Sequence, residues 1–597
     1  MIPSEVTILC WSEPESEDLN LAKLAEFLGL KSSLLRINTG SAGVGYLERN
    51  LPEHPACLAV SGTTLARIFS GSNSDNELRS FLLRRVSHLL IYATEPSQSC
   101  GAALSYLTEG AVTSIAPVQN PESKYEISPK HREVCRQLTG LTFGRTNERT
   151  DLTFAGRQDN LSSLIKIGDR TFFAALERDT CTIFIVGCNT VADIDTVVSP
   201  LADVGSYFSR LIPAMMFLKR VFRDKAWHAR KPYANFTVDD PLLQESYGFL
   251  NYRTLLQTMD RCGFFTTIAF IPWNFKRTDP NIAALLRSRP DRFSIAVHGC
   301  DHTGAEFGSD DTTLLNRKVR AALLQMNDHQ QATGLAFDRV MIFPQGKFAA
   351  AAMKTLKANN FVAAANSPSV PSGRAAGPVR LRDLLDVAML NYESFPLFLR
   401  RYPRDLFHCA LDLFLEKPLL LLEHHGYFRK GYDDIAEFVS RINSLDENLS
   451  WHGLGHVIEH SVLSKIGSGP DLQMKLYSHG ACVANTSGQG TTCVMSKADS
   501  GNLGFEAVTL SGKPVPFIVE SGAVNLSVHV DDGAKVRLEM MFKNPWDGLD
   551  SGSRMPEHVT AFVRRRLSEM RDNYLSKHEP LLSFAYRVKD LLVGPQR

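Results

Sequence analysis

The chain has 597 residues, 44% of them hydrophobic and 22% charged, with a formal net charge of +1. This is the composition of an ordinary globular protein; it gives no electrostatic case for nucleic-acid or membrane partners, and the length predicts about two to four domains. The 11 cysteines form no CxxC pair and no regular spacing, which reads as free thiols in a reducing compartment.

The first residues, Met1-Ile2-Pro3-Ser4-Glu5, show no basic stretch ahead of an apolar core. No signal peptide is visible, and a cytoplasmic location is expected. Residues 1–225 then alternate short apolar runs with helical patterns. Val6–Cys10, Ser33–Ile37, Ala56–Val60 and His88–Tyr92 are strand runs. Together they predict an α/β parallel-sheet domain, flavodoxin-like or amidotransferase-like in class. Gly40, Gly43 and Gly45 form no GxGxxG after a strand, so a dinucleotide site is unsupported. Ser61-Gly62-Thr63-Thr64 reads as a helix cap rather than an anion site. Cys10 lacks the glycines of a nucleophile elbow and reads as a buried, inert thiol. Thr171–Ala175 and Thr182–Val186 predict a hairpin. The apolar helix Tyr207–Val221 is interrupted by Arg210, Pro213 and Lys219. It is too short and too charged to span a bilayer, and its stripe reads as packing between the first domain and the next.

A second domain is predicted over 231–460. Apolar runs at 234–238, 264–271, 293–297, 339–343, 361–364, 386–390 and 418–423 are separated by helical patterns, the spacing of parallel βα units. Chemistry-bearing residues fall just after these runs: Asp239 and Asp240 after the first, His298 and His302 after the third, Pro344 after the fourth, His424 after the seventh. In a βα barrel that end of the strands holds the site. Imidazole nitrogen plus carboxylate oxygen suits a first-row divalent metal. A hydrolytic metal keeps an open position, so three protein ligands are expected, and a spare carboxylate beside it can take a proton from water.

Residues 461–545 are richer in Gly, Ser and Thr and carry short alternating runs, which predict a small antiparallel β-sandwich. Residues 546–597 read as C-terminal helices, with Arg564-Arg565-Arg566 on a solvated face.

Residues 230–456 resemble the polysaccharide deacetylase superfamily, the NodB-like carbohydrate esterases. The family's Thr-Phe-Asp-Asp-Gly motif reads Thr237-Val238-Asp239-Asp240-Pro241 here. Its His-Ser/Thr-x-x-His motif reads His298-Gly299-Cys300-Asp301-His302, and its Arg-x-Pro-x-Gly motif reads Ile342-Phe343-Pro344-Gln345-Gly346. The resemblance implies a distorted seven-stranded βα barrel. It implies a divalent metal, with Zn²⁺ the expected ion, held by Asp240, His298 and His302, and Asp239 as the base. It implies backbone near Pro344 and Gly346 against the substrate oxyanion, and a histidine acid at the end of the last strand. His424 and His425 compete for that role; only one can face the barrel mouth while the strand continues, and His424 leads because it adjoins the apolar run. Asp405 or Glu423 is expected to hold the acid protonated. Three departures stand out. Ile342 replaces the arginine that steadies the base, with Arg400 or Arg401 as its expected substitute; Pro241 replaces a glycine; and Gly299 replaces a hydroxyl residue. The implied activity is removal of N- or O-acetyl groups from a polysaccharide or amino sugar. The alternatives are a catalytically silent glycan-binding barrel and a metal-dependent amidohydrolase acting on a small non-sugar amide.

Overall fold

The computed structural model describes residues 5–38, 44–51, 57–69, 75–145, 149–157, 161–367, 371, 377–467, 471–485, 488–499, 503–546, 559–574 and 577. Gly40, Gly43 and most of the predicted C-terminal helical stretch lie outside them. The chain divides into two compact units. One comprises 1–228 with 379–385 and 464–473; the other comprises 229–378, 386–463 and 474–597.

The first unit is built on β1 (Val6–Trp11), β2 (Ser32–Ile37), β3 (Cys57–Ser61), β4 (His88–Tyr92), β5 (Lys124–Ile127), β6 (Thr142–Gly144), β7 (Ser162–Ile167), β8 (Arg170–Arg178) and β9 (Cys181–Val186), in the order β2-β1-β3-β4-β9-β8-β7-β5-β6. The first five strands of that order pair in parallel. β3 is buried at every position and β4 at all but the first, as strands covered by helices on both faces should be. Beyond β9 the sheet is antiparallel. β8 and β9 make the predicted antiparallel hairpin, and β7, β5 and β6 extend it antiparallel. The helix Phe208–Phe222 packs on this sheet, with Phe217 edge-on to Phe184 of β9 at 5.0 Å. Its buried Leu211, Ile212, Met215 and Leu218 each contribute roughly 1.5–3 kcal/mol. Ser61 caps the helix Gly62–Ile68 by accepting from Thr64 N–H. Cys10 is buried, and burial together with Asp18 pushes its thiol up to about 11.

The second unit carries the parallel strands β10 (Tyr233–Asp239), β11 (Thr266–Phe270), β12 (Phe293–His298), β13 (Asp338–Ile342), β14 (Ala363–Asn366), β15 (Leu397–Leu399) and β16 (Leu419–His424). They lie in the order β15-β14-β13-β12-β11-β10-β16. The sheet curls into a half-barrel whose two edges, β15 and β16, meet through an isolated bridge between Arg401 and Leu421. Six of the marked apolar runs are strands. The run 386–390 is not: Asp386 is held by Lys475 Nζ at 2.7 Å, and Met389 bridges antiparallel to Leu397. The chain therefore doubles back, and Leu397 takes the place beside Ala364. Farther on lie two antiparallel sheets. One includes Thr491–Ala498, Ala523–Val530 and Ile518–Glu520; the other includes Gly480–Ala484, Lys535–Phe542 and Phe505–Leu510. No described helix is long and apolar enough to cross a membrane.

Candidate active site

The chemistry-bearing residues converge at the carboxyl ends of the half-barrel strands. Asp239 ends β10, in register with Ala269 of β11 and His424 of β16. β10 is rich in Phe, Val and Thr and buried from Ala234 to Asp239, so packing on both faces fixes where its terminal carboxylates stand.

Asp240, the next residue, leaves the strand at φ 79, a left-handed conformation that few non-glycine residues adopt. His302 is also left-handed, at φ 57. Asp240 Oδ1 lies 3.1 Å from His298 Nε2 and 3.1 Å from His302 Nε2. That oxygen is buried and accepts no hydrogen bond. Burial opposes its charge, but His302 and His298 outweigh burial and hold the Asp240 carboxyl well below the usual range. His298 Nδ1 is 3.1 Å from Ile342 O. A protonated Nδ1 donates there, and in the neutral ring that tautomer would leave the Nε2 lone pair for a cation beside Asp240. One oxygen and two imidazole nitrogens, all within 4.8 Å of one another, form a donor set that fits a first-row divalent cation.

Asp239 is the second carboxylate. Arg400, which follows β15, donates to it twice, Nη1 to Oδ1 at 2.8 Å and Nη2 to Oδ2 at 2.9 Å. Both residues are about 95% buried, at 5% and 4% exposure. Burial works against the Asp239 charge. Arg400, with His298 and His424 nearby, more than offsets it and lowers the carboxyl below its ordinary value. Of the two arginines expected near the base, Arg400 is the one that pairs with Asp239. Arg401 is turned elsewhere, onto Asp412.

A further group, Glu306, was not visible in the sequence pattern. Its buried carboxylate accepts from three successive backbone N–H groups, Cys300 at 2.9 Å, Asp301 at 3.1 Å and His302 at 3.1 Å. Lys318 Nζ lies 3.3 Å away. The loop that carries His302 is therefore wrapped around one buried carboxyl group, which burial and the neighbouring Asp301 push up to about 7. This explains Gly299. It sits at φ 65, and a Cβ there would come within 2.1 Å of Glu306 Oε1 and 2.4 Å of Pro344 Cγ. The hydroxyl residue expected at this place has no room, and Glu306 does the bracing. A glycine between the histidines followed by a glutamate four residues beyond the second is the signal that marks it.

The structure separates the two candidate acids. His424 stands beside Asp239 across the β10–β16 pairing. His425 turns away: its Nε2 is 3.5 Å from Asp572 Oδ1, and its ring stacks on Phe249 and meets Tyr247 edge-on. Asp405 does not serve either histidine, because it caps the helix Leu406–Phe414 and bonds His408. Glu423 accepts from His424 N–H at 3.3 Å. Pro344 packs against Gly299, and Gly346 N–H donates to Phe343 O at 3.1 Å. The Gly346 N–H is thus engaged within the turn.

No family model matches the chain, and no curated protein does. Among solved structures, the chain is similar to Agd3, a carbohydrate deacetylase, at 11% identity over 90% of this chain and 99% of that one, with a TM-score of 0.47. It is similar to a family 4 carbohydrate esterase from Streptomyces lividans in complex with acetate, at 12% identity over 37% and 92%, with a TM-score of 0.23. A family 4 acetyl xylan esterase from Clostridium thermocellum, in complex with a cobalt ion, is similar at 11% identity over 38% and 90%, with a TM-score of 0.24.

Proposed function

We propose that this chain is a metal-dependent hydrolase that removes N- or O-acetyl groups from a polysaccharide or amino sugar. The observation that carries this reading is Asp240 Oδ1, buried, without a hydrogen bond and 3.1 Å from two imidazole nitrogens, beside a second carboxylate paired with a buried arginine. Asp240, His298 and His302 would hold the cation, with Zn²⁺ the expected ion. When bound, the cation supplies Lewis-acid polarisation of the acetyl carbonyl and acidifies a water.

The remaining work falls to side chains. Asp239 takes a proton from the attacking water; Arg400 keeps the carboxylate ionised and fixes its orientation. His424 gives a proton to the leaving nitrogen or oxygen, a task suited to an imidazole near neutral pH. The turn Pro344–Gly346 borders the substrate. Its Gln345 N–H is the donor offered to the developing oxyanion.

The test is acetate release from acetylated chitooligosaccharides and acetylated xylan by the purified chain supplied with Zn²⁺ or Co²⁺. Asp239→Asn should retain the cation and slow release about 10²–10⁴-fold. Unchanged turnover in that variant excludes Asp239 as the base, and no release from any acetylated sugar overturns the reading.

A further inference from the structure

The first unit contains a cavity that the acyl chemistry does not use. It is open to solvent, offers about 490 Å³ and is lined by Arg132, Arg136, Lys219, Arg220 and Arg223, with Trp227. Two carboxylates, Glu133 and Asp224, also reach it. Each faces a histidine: Glu133 lies 3.5 Å from His131 Nδ1, and Asp224 lies 4.0 Å from His228 Nε2. Five cationic side chains against two carboxylates make this a strongly positive concavity in a chain whose net charge is only +1. Such a concavity focuses potential onto an anion. Its volume is that of a small-molecule site.

The backbone adds an independent observation. Arg136 closes the helix Arg132–Cys135 at φ 51, ψ −128, and Arg223 closes the helix Phe208–Phe222 at φ 44, ψ −117. Glycine occupies such positions without a Cβ clash, and a long side chain there is strained. At both helix ends the residue is arginine, and both arginines line the same cavity. Strained backbone that persists around a concavity is characteristic of ligand clamps. Trp227 is fixed as well. It packs on Gly29, where a Cβ would lie 2.6 Å from the indole Nε1, and Lys465 Nζ stands 5.0 Å over its ring.

We propose that this cavity binds a small, multiply charged anion, its phosphate or carboxylate groups forked by the guanidiniums. Arg136 and Arg223 keep their unfavourable backbone because their side chains hold the ligand.

The experiment is calorimetric titration of the full chain with inorganic tripolyphosphate and, separately, with trigalacturonate, alongside thermal unfolding without either. At least one probe should saturate at one site per chain. Arg220→Gln, on ordinary helical backbone, and Arg223→Gly should each weaken it at least about tenfold. Arg223→Gly should also raise the unfolding midpoint, because glycine relieves the strain. Binding of tripolyphosphate alone identifies a phosphate-bearing ligand; binding of trigalacturonate alone identifies an acidic sugar. If neither probe saturates at millimolar concentration, the proposal falls. It also falls if Arg223→Gly keeps full affinity and lowers the midpoint, for the residue is then a helix-end device only.

Discussion

Replacing Arg400 with methionine removes one half of a buried ion pair while filling much of its volume. The pair is bidentate, at 2.8 and 2.9 Å, with both partners almost wholly buried. Taking away one partner strands the other charge, which costs about 3–5 kcal/mol, a large share of the ~5–15 kcal/mol that holds a typical domain together. Removing both, in Asp239→Asn with Arg400→Met, should cost far less, so a double-mutant cycle should return a coupling of about 2 kcal/mol or more. The pH dependence has a definite sign. In the native protein the lowered Asp239 pKa gives stability that is present above the unfolded value of about 3.9 and is lost as pH falls through the folded value. In Arg400→Met burial is opposed only by His298 and His424, so that pKa rises and the deficit should shrink as pH falls and Asp239 protonates. Urea unfolding of the four proteins from about pH 2 to pH 8 measures all of this. A single-mutant cost below about 1 kcal/mol, typical of an exposed pair, would refute the buried geometry.

Glu306→Ala removes the acceptor shared by three N–H groups of the His302 loop, and divalent-cation affinity should fall about 10–100-fold. Gly299→Ala should have a similar effect, and unchanged affinity in calorimetry would count against the brace. His424→Ala should slow amide cleavage far more than cleavage of an activated ester, since only the amine needs the proton; His425→Ala should mainly lower stability, because Asp572 loses one of its partners. Equal loss of both substrates in both variants would place the acid elsewhere. His452, His456 and His460 stack at ring separations of 4.1 and 3.8 Å. Burial, then the neighbouring His460 and His452, with Lys535 and Lys231, push His456 down to about 3. A histidine lowered below its unfolded value of about 6.5 loses stability as pH falls through 6.5. The slope should approach at most about 1.4 kcal/mol per pH unit for that group, reduced by the solvent that reaches the stack. An unchanged slope in His456→Gln would assign the acid sensitivity to other groups.

What was legible in the sequence followed from local pattern. Runs such as Tyr233–Asp239 and Phe293–His298 are β-rich and end in acids or histidines, so strand position alone predicted which groups share one end of the sheet. Asp240, His298 and His302 do come together there. The run 386–390 was misread because its apolarity serves an antiparallel return to Leu397, and periodicity does not distinguish that from a parallel strand. Arg400 could be named only as one of two neighbours, because alternation along an extended segment sends Arg401 to the opposite side, toward Asp412. Glu306 is hard to find because its partners are backbone N–H groups; the glycine between the histidines and the four-residue step to the glutamate are the only local marks it leaves. The engagement of His425 with Asp572 was missed because the two are far apart in the chain, and nothing local to either residue encodes the contact.

The central claim is that Asp240, His298 and His302 hold one divalent cation. It is tested most directly by elemental analysis of the purified full chain and of His302→Ala after dialysis against a weak chelator. The account predicts close to one first-row divalent ion per native chain and a near-complete loss in His302→Ala, with the variant still folded by circular dichroism. Full stoichiometry retained in folded His302→Ala would contradict it.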